Sequence, residues 1–161
     1  MPETDITRDV LRMFNYGLFV AASIGEEGPH AATISWVSQA SFEPRLISVA
    51  MRKGTAIFDA VSASRRFSLH VVGAGQSDFA KAFFKVNQAS EDAIAGYKYS
   101  LSESGLPIFE DSPAWLECDV KEVANAPGDH AIFIALVTGS GLRLPPVTPL
   151  ALRDTPWHYG G

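Results

Sequence analysis

Two cations and a hydroxyl stand directly before a predicted helix, and they are the first candidates for chemistry in the sequence. Arg52 and Lys53 are followed by Gly54, Thr55 and an apolar helical pattern that begins at Ile57. A helix N-terminus has unpaired backbone N–H groups and the positive end of the helix dipole, so cations beside it favour an anion site. Taken alone, the two cations would more often be a solvated pair.

A predicted strand from Ala31 to Ser41 supplies a second set of candidates. One face, which suits a core, carries Ala32, Ile34, Trp36, Ser38, Ala40 and Phe42, and the other carries Thr33, Ser35, Val37, Gln39 and Ser41. The second face is polar but uncharged, which favours a cleft for a flat polar ligand over a solvent face. Together with the anion site it predicts a ligand that has a polar ring and a phosphate, as flavin mononucleotide (FMN) does. Trp36 fits a simple core position equally well.

Composition and charge limit the classes of protein to be considered. The chain has 161 residues, of which 47% are hydrophobic and 19% charged, and this predicts one soluble globular domain. A net charge of -5 and a pI near 5.3 argue against nucleic acid or an anionic membrane as partner. A single cysteine, no visible secretory signal and no long apolar run predict a cytoplasmic protein.

Other kinds of site have little support in the sequence. The four histidines lack metal-ligand spacing, so no metal site is predicted; they are His30, His70, His130 and His158. Cys118 lies between Glu117 and Asp119, whose carboxylates oppose thiolate formation, and it is predicted to be a small buried hydrophobe. A glycine-containing stretch at 72–76 lacks the third glycine of a dinucleotide-binding loop and is interpreted as a turn.

Hydrophobic periodicity predicts a mainly β chain with a few short helices. The predicted strands are Leu18–Ile24, Ala31–Ser41, Leu46–Met51, Phe67–Val72, Ala114–Ala126 and Ala131–Leu142. Short helices are expected around Val10–Phe14, around Ile57–Val61 and from Gln76 or Ser77 to Phe84. Between Lys85 and Pro113 the pattern weakens into a long loop. Hairpin-linked strands of this kind predict an antiparallel barrel with helices packed on it.

Several segments, in the same order and at the same spacing, resemble the flavin reductase-like family, whose fold is an FMN-binding split barrel. These are Thr33–Pro44, Phe67–Val72, Gly105–Ile108, Trp115–Val120, Gly128–His130 and the closing Pro149–Gly161. Within the family the chain is most similar to stand-alone reductases and to the reductase modules of flavodiiron proteins. The resemblance covers nearly the whole chain from Met13 onwards, so residues 1–161 are expected to form a single domain of this family.

The resemblance implies a homodimeric enzyme that binds FMN or FAD near the subunit interface and transfers a hydride from NAD(P)H to the flavin. The flavin ring and ribityl chain would lie along Thr33, Ser35, Trp36, Val37, Ser38, Gln39, Ala40 and Ser41. The phosphate would be held by Arg52, Lys53 and Thr55, with a further cation at Lys85. His130 is the catalytic candidate, and Trp157 and Tyr159 would close the pocket.

The sequence leaves several alternatives open. A flavin-binding electron carrier that does not oxidise NAD(P)H would have the same fold, since fold does not fix function. A different ligand, such as haem or pyridoxal phosphate, is a weaker alternative. NADH is not distinguished from NADPH, nor a tight cofactor from a released substrate. The consumer of the reduced flavin could be a monooxygenase, a flavodiiron protein, iron or oxygen.

Overall fold

Antiparallel strands dominate the fold and a few short helices pack on them, which confirms the predicted class. The structure is a computed structural model that describes residues 5–85, 89–125 and 127–161. In chain order the elements are α1 (Ile6–Leu11), β1 (Phe19–Gly25), β2 (Gly28–Ile34), β3 (Val37–Ser41), β4 (Leu46–Arg52), α2 (Ala56–Ser64), β5 (Arg66–Val71), α3 (Ser77–Lys81), β6 (Ala93–Ile94), β7 (Tyr97–Leu101), β8 (Pro107–Phe109), β9 (Ala114–Ala124), β10 (His130–Leu142) and a 3-10 turn at Leu152–Asp154.

A seven-stranded sheet forms the barrel, in the order β2-β1-β5-β9-β10-β4-β3, and every neighbouring pair is antiparallel. Its two edge strands, β2 and β3, are consecutive in the chain and are joined through Ser35 and Trp36 alone. Two residues span less than about 10 Å, so the two edges of the sheet must meet at this point. Among the described residues no ladder pairs β2 with β3, and the barrel is therefore split along this seam.

Two hydrophobic clusters stabilise the fold. The first fills the barrel and includes Val49, Phe67 and Phe133, none of which is exposed. The second lies between the outer face of β1 and α3, where Phe83 and Phe109 pack edge to face or tilted against neighbouring rings. Burial of each such aromatic ring stabilises the fold by about 1.5–3 kcal/mol. The strands that carry the cavity walls are thus anchored by a rigid interior.

The predicted strand Ala31–Ser41 is two strands, and the core face assigned to its second half is wrong. The chain stops pairing with β1 after Ile34 and begins pairing with β4 at Val37, so the alternation of faces is reset between them. Ser38 and Ala40 are exposed, and Phe42, in the β3–β4 turn, is 88% exposed. The periodic pattern continued across the seam and therefore concealed the break.

The stretch from Lys85 to Pro113 also differs from the prediction of a long loop. It contains a second, three-stranded antiparallel sheet in the order β6-β7-β8. These strands have two to five residues, too few for a clear alternation of faces. The other predicted strands agree with the structure to within two residues, except that the predicted end at Ala126 lies outside the described residues. In the described parts of the chain, no helix has the length and apolar character needed to span a membrane.

Candidate functional site

A cavity of about 330 Å³ opens at the seam of the barrel, against the ends of β2 and β4 and the start of α2. The segment after α3 and the C-terminal segment close its other sides. Its lining residues are Leu18, Ala32, Thr33, Ile34, Ser35, Ala50, Met51, Arg52, Thr55, Ile57, Phe83, Phe84, Leu152, Trp157, His158 and Tyr159. The volume and the mixture of apolar walls with a few polar groups are typical of a small-ligand site.

One end of this cavity meets the N-terminus of α2. The Thr55 hydroxyl caps the helix, since it accepts a hydrogen bond from the Phe58 N–H at 3.3 Å and donates one to the Arg52 carbonyl at 2.8 Å. Gly54, with φ of +82°, makes the turn that brings Arg52 beside the cap. The cation and the helix dipole thus act at one place, where they favour an anionic group.

The β2 wall contributes two hydroxyl groups with different roles. The Thr33 hydroxyl donates to the Ala80 carbonyl at 2.5 Å, and its backbone N–H donates to the Phe83 carbonyl at 3.1 Å, so Thr33 fastens the region of α3 to the wall. Ser35 lines the cavity, and its hydroxyl is buried and has no hydrogen-bond partner among the described residues. A buried hydroxyl without a partner is costly, so a polar ligand that bonded it would be stabilised there.

A second cavity of about 480 Å³ adjoins the first and shares Arg52 and Tyr159 with it. Its lining residues are Leu11, Tyr16, Trp36, Arg52, Asp129, His130, Tyr159, Gly160 and Gly161. His130 begins β10 and makes two short contacts, from Nδ1 to Asp129 Oδ1 at 2.7 Å and from Nε2 to Tyr159 Oη at 2.6 Å. The hydrogen bond from His130 holds the pKa of Asp129 below its ordinary value, while burial raises the pKa of Tyr159.

The tail from Thr155 to Gly161 contributes lining residues to both cavities. Phe84 packs edge to face on Trp157 at 4.7 Å on the side of the first cavity. Arg12 Nε donates to the Gly160 carbonyl at 3.2 Å on the side of the second. The Trp36 ring packs against the tail at Tyr159, with 5.1 Å between the ring centroids. It also packs against His130, with 4.5 Å between the ring centroids.

The structure brings many of the predicted site residues together. Six line the first cavity: Thr33, Ser35, Arg52, Thr55, Trp157 and Tyr159. Four line the second: Trp36, Arg52, His130 and Tyr159. The rest, which line neither cavity, are Val37, Ser38, Gln39, Ala40 and Ser41 on the sheet edge β3, together with Lys53 and Lys85. Their binding roles stay predictions.

Sequence reasoning assigned no role to Asp129, Tyr16 or Phe84. Asp129 stood within a quoted motif, and its position beside a histidine was an available signal for a carboxylate–imidazole pair. Tyr16 and Phe84 reach the cavities through contacts that are distant in sequence, with Trp36 and Trp157 respectively, and no local pattern reports these.

The structure also bears on two other kinds of site, a cysteine nucleophile and a metal centre. Burial, with Asp119 and Glu117 adding to it, raises the pKa of the Cys118 thiol to about 12. The thiol therefore stays protonated and is a poor nucleophile, as predicted. Within the described ranges, no cluster of three or more His, Cys, Asp or Glu side chains has an arrangement that would hold a metal ion.

Comparison with known proteins gives a consistent result. The sequence profile of the flavin reductase like domain matches residues 11–155. A probable flavin reductase of Rhizobium meliloti is 31% identical over 140 residues, which are 84% of this chain and 44% of that protein. The chain thus spans less than half of that relative, and 28% of a diflavin flavoprotein of Nostoc that is 31% identical to it.

Solved structures agree in fold. The styrene monooxygenase flavin reductase of Pseudomonas putida superimposes with a TM-score of 0.78 at 26% identity, over 98% of this chain and 97% of that one. The NADH:FAD oxidoreductase of Streptomyces globisporus, solved with NAD and FAD fragments, gives 0.76 at 25% identity, over 91% of this chain and 85% of that one.

Proposed function

Because this chain belongs to the flavin reductase-like domain family, we propose that it is an NAD(P)H:flavin oxidoreductase that transfers a hydride from a nicotinamide nucleotide to FMN or FAD. The observation that carries the proposal is the cavity at the seam, which combines an anion site with a buried, unpartnered hydroxyl. Relatives named as flavin reductases, and a structural neighbour solved with NAD and FAD fragments, support it.

The residues present fit a flavin nucleotide. Arg52 and the N-terminus of α2 would hold the phosphate, with Thr55 keeping the helix start in place. Ser35 Oγ would bond a polar atom of the ligand, since no described residue is a hydrogen-bond partner for it. Trp157 and Tyr159 would cover the cavity from the tail. Lys53, Lys85 and the β3 residues Val37–Ser41 remain predicted ligands that a second subunit or a movement of the chain would have to bring near.

A bound flavin supplies the hydride-accepting chemistry, so the protein needs no nucleophile of its own. The task of the chain is to bind and orient two ring systems and to exclude water from the space between them. The second cavity is the proposed site for the nicotinamide nucleotide, because it adjoins the first and is lined by Trp36, His130 and the cation Arg52.

We further propose the finer points that the resemblance implies. These are one domain over residues 1–161, a homodimer, a cytoplasmic location and a monooxygenase or another redox protein as consumer of the reduced flavin. Support for the dimer comes from the edge strand β3, which is largely exposed, and from Phe42 beyond its end. Support for a monooxygenase comes from the name of the Pseudomonas putida structure.

An anaerobic absorbance experiment tests the function. The purified protein is loaded with FMN, and its spectrum is recorded before and after NADH and then NADPH. We expect the oxidised flavin band to disappear with at least one donor, which would also identify that donor. A bound flavin that stays oxidised with both would refute the reductase and favour an electron carrier. Failure to bind FMN or FAD would refute both.

A further inference from the structure

Three side chains form a continuous hydrogen-bonded chain that ends at a residue lining both cavities. Asp129 lies at the outer end, with its side chain 78% exposed. His130 is in the middle, with its side chain only 13% exposed. Tyr159, which is 41% exposed, is at the other end, and the successive bonded atoms are 2.7 Å and 2.6 Å apart. Trp36 packs against both rings and limits their rotation.

The direction of these hydrogen bonds follows from the chemistry of the groups. The Asp129 carboxylate can only accept, so His130 Nδ1 carries a hydrogen and donates it. When the imidazole is neutral, Nε2 is an acceptor and the Tyr159 hydroxyl must donate to it. When the imidazole is protonated, Nε2–H donates to the tyrosine oxygen, and the hydroxyl proton is free to turn elsewhere. Protonation of His130 therefore creates a donor at Tyr159 Oη.

The two residues differ in the space that they reach. His130 lines the second cavity, whereas Tyr159 lines both. Each His130 ring nitrogen is already within hydrogen-bond distance of a protein group. The phenol is thus the member of the chain that faces the proposed flavin cavity, and burial raises its pKa, so that it keeps its proton at neutral pH.

We propose that Tyr159 Oη is the proton donor to the flavin cavity, and that Asp129 and His130 are positioning residues that supply and aim its proton. The proposal rests on the proposed function. Hydride transfer would leave a bound flavin with one negative charge, and this anion would accept the Tyr159 Oη proton. The Nε2 proton of His130 would then replace it on Tyr159, and one proton from solvent would restore the imidazolium. In the described part of the molecule, further titratable or charged groups near these three residues are Arg52 on β4, Lys53 against the Asp129 backbone, Tyr16 across the second cavity, Arg12 on the tail backbone and His158 beside Tyr159.

A set of variants tests the order of the chain in the flavin-loaded protein. The rate of flavin reduction is measured across pH for the wild type, Tyr159→Phe, His130→Gln, the double variant and Tyr97→Phe. Tyr97 lines neither cavity and provides the matched loss of a hydroxyl. We expect Tyr159→Phe to lower the rate about 100-fold, a usual size for a lost general acid.

If Tyr159 and His130 act in series, removing either one removes the whole effect, so the double variant should be no slower than the slower single variant. Both single variants should also lose the same pH-dependent part of the plot of reduction rate against pH. Losses that multiply in the double variant would overturn the proposal, because His130 would then act independently. A Tyr159→Phe rate equal to that of Tyr97→Phe would also overturn it.

A second readout uses the protein without flavin. Tyrosine ionisation is followed by ultraviolet absorbance, and subtraction of the Tyr159→Phe curve isolates Tyr159. Asp129→Asn should move this titration to lower pH, since the Asp129 charge raises the pKa of Tyr159. Glu26→Gln, in the β1–β2 turn and in the lining of neither cavity, should not. An unmoved titration would refute the coupling. A wild-type flavin that NAD(P)H cannot reduce would instead refute the proposed function, and this titration would still decide the coupling.

Discussion

The buried His70 makes the stability of this fold depend on pH in a calculable way. Its side chain is fully buried, its Nδ1 lies 2.9 Å from the Val20 carbonyl, and its Nε2 accepts from the Phe109 N–H at 3.3 Å. Nε2 is therefore unprotonated, and the imidazole is neutral with its hydrogen on Nδ1. Burial lowers the pKa of His70 from 6.5 to about 4, because a charged ring would be desolvated there.

The sign of the effect follows from this lowered pKa. Between the unfolded and the folded pKa, the unfolded chain binds a proton that the folded chain does not, so the free energy of unfolding falls as the pH falls. The stability contributed by the neutral His70 is fully present above its pKa in the unfolded chain, and it is lost progressively as the pH falls towards its pKa in the folded chain. From pH 7 to pH 5 the loss is about 2 kcal/mol for this single group.

Urea unfolding, followed by tryptophan fluorescence at several pH values, measures this loss. His70→Asn is the matched control, because its amide can still donate towards the Val20 carbonyl but does not titrate. The variant will be less stable at pH 7, but its free energy of unfolding should fall by about 2 kcal/mol less than that of the wild type between pH 7 and pH 5. Parallel curves for the two proteins would refute the reasoning.

Three further predictions concern single side chains. Arg52→Ala should weaken FMN binding about 10- to 100-fold and leave riboflavin binding nearly unchanged, because only FMN presents a phosphate to the cation. Fluorescence titration measures the affinity for both ligands, with Arg45→Ala as the control. Equal losses of affinity for the two ligands would show that Arg52 does not bind the phosphate. Phe42→Asp should shift a dimer towards monomer in sedimentation, whereas a wild type that is monomeric at micromolar concentration would contradict the proposed dimer. Cys118 should resist thiol reagents until the chain unfolds, since its thiol is buried with a pKa of about 12; rapid labelling of the folded protein would contradict its burial.

Local patterns predicted the long strands well and the seam poorly. Alternating residues predicted β4 and β10, because every second residue is buried in β4 and in the first half of β10. β1 was predicted from an apolar run, since four successive residues, Val20–Ser23, are buried. The break at Ser35 and Trp36 was missed, since it depends on which neighbour each half-strand pairs with and not on the residues themselves. Pairing partners are set by the whole fold.

In the candidate site, too, local features were predictable from the sequence and long-range contacts were not. The anion site was predictable, since Arg52, Lys53, Gly54 and Thr55 are consecutive and a helix follows. The contact of His130 with Tyr159 joins residues 29 positions apart, and that of Arg12 with Gly160 joins residues 148 apart. Periodicity within short windows contains no information about such distances. Here the family resemblance, and not the pattern, placed the tail near the pocket.

The unpaired seam has a consequence for how a ligand enters and leaves. Opening a barrel normally requires breaking a ladder of backbone hydrogen bonds, but β2 and β3 share no such ladder in the described part of the chain. The edge of β2 is instead held at Thr33, by bonds to the Ala80 and Phe83 carbonyls. Widening the seam therefore costs a few side-chain and tail contacts, while the ladders between β9, β10 and β4 stay intact. For a nucleotide bound as proposed, we therefore expect exchange with solvent to need only local opening of the seam and no global unfolding.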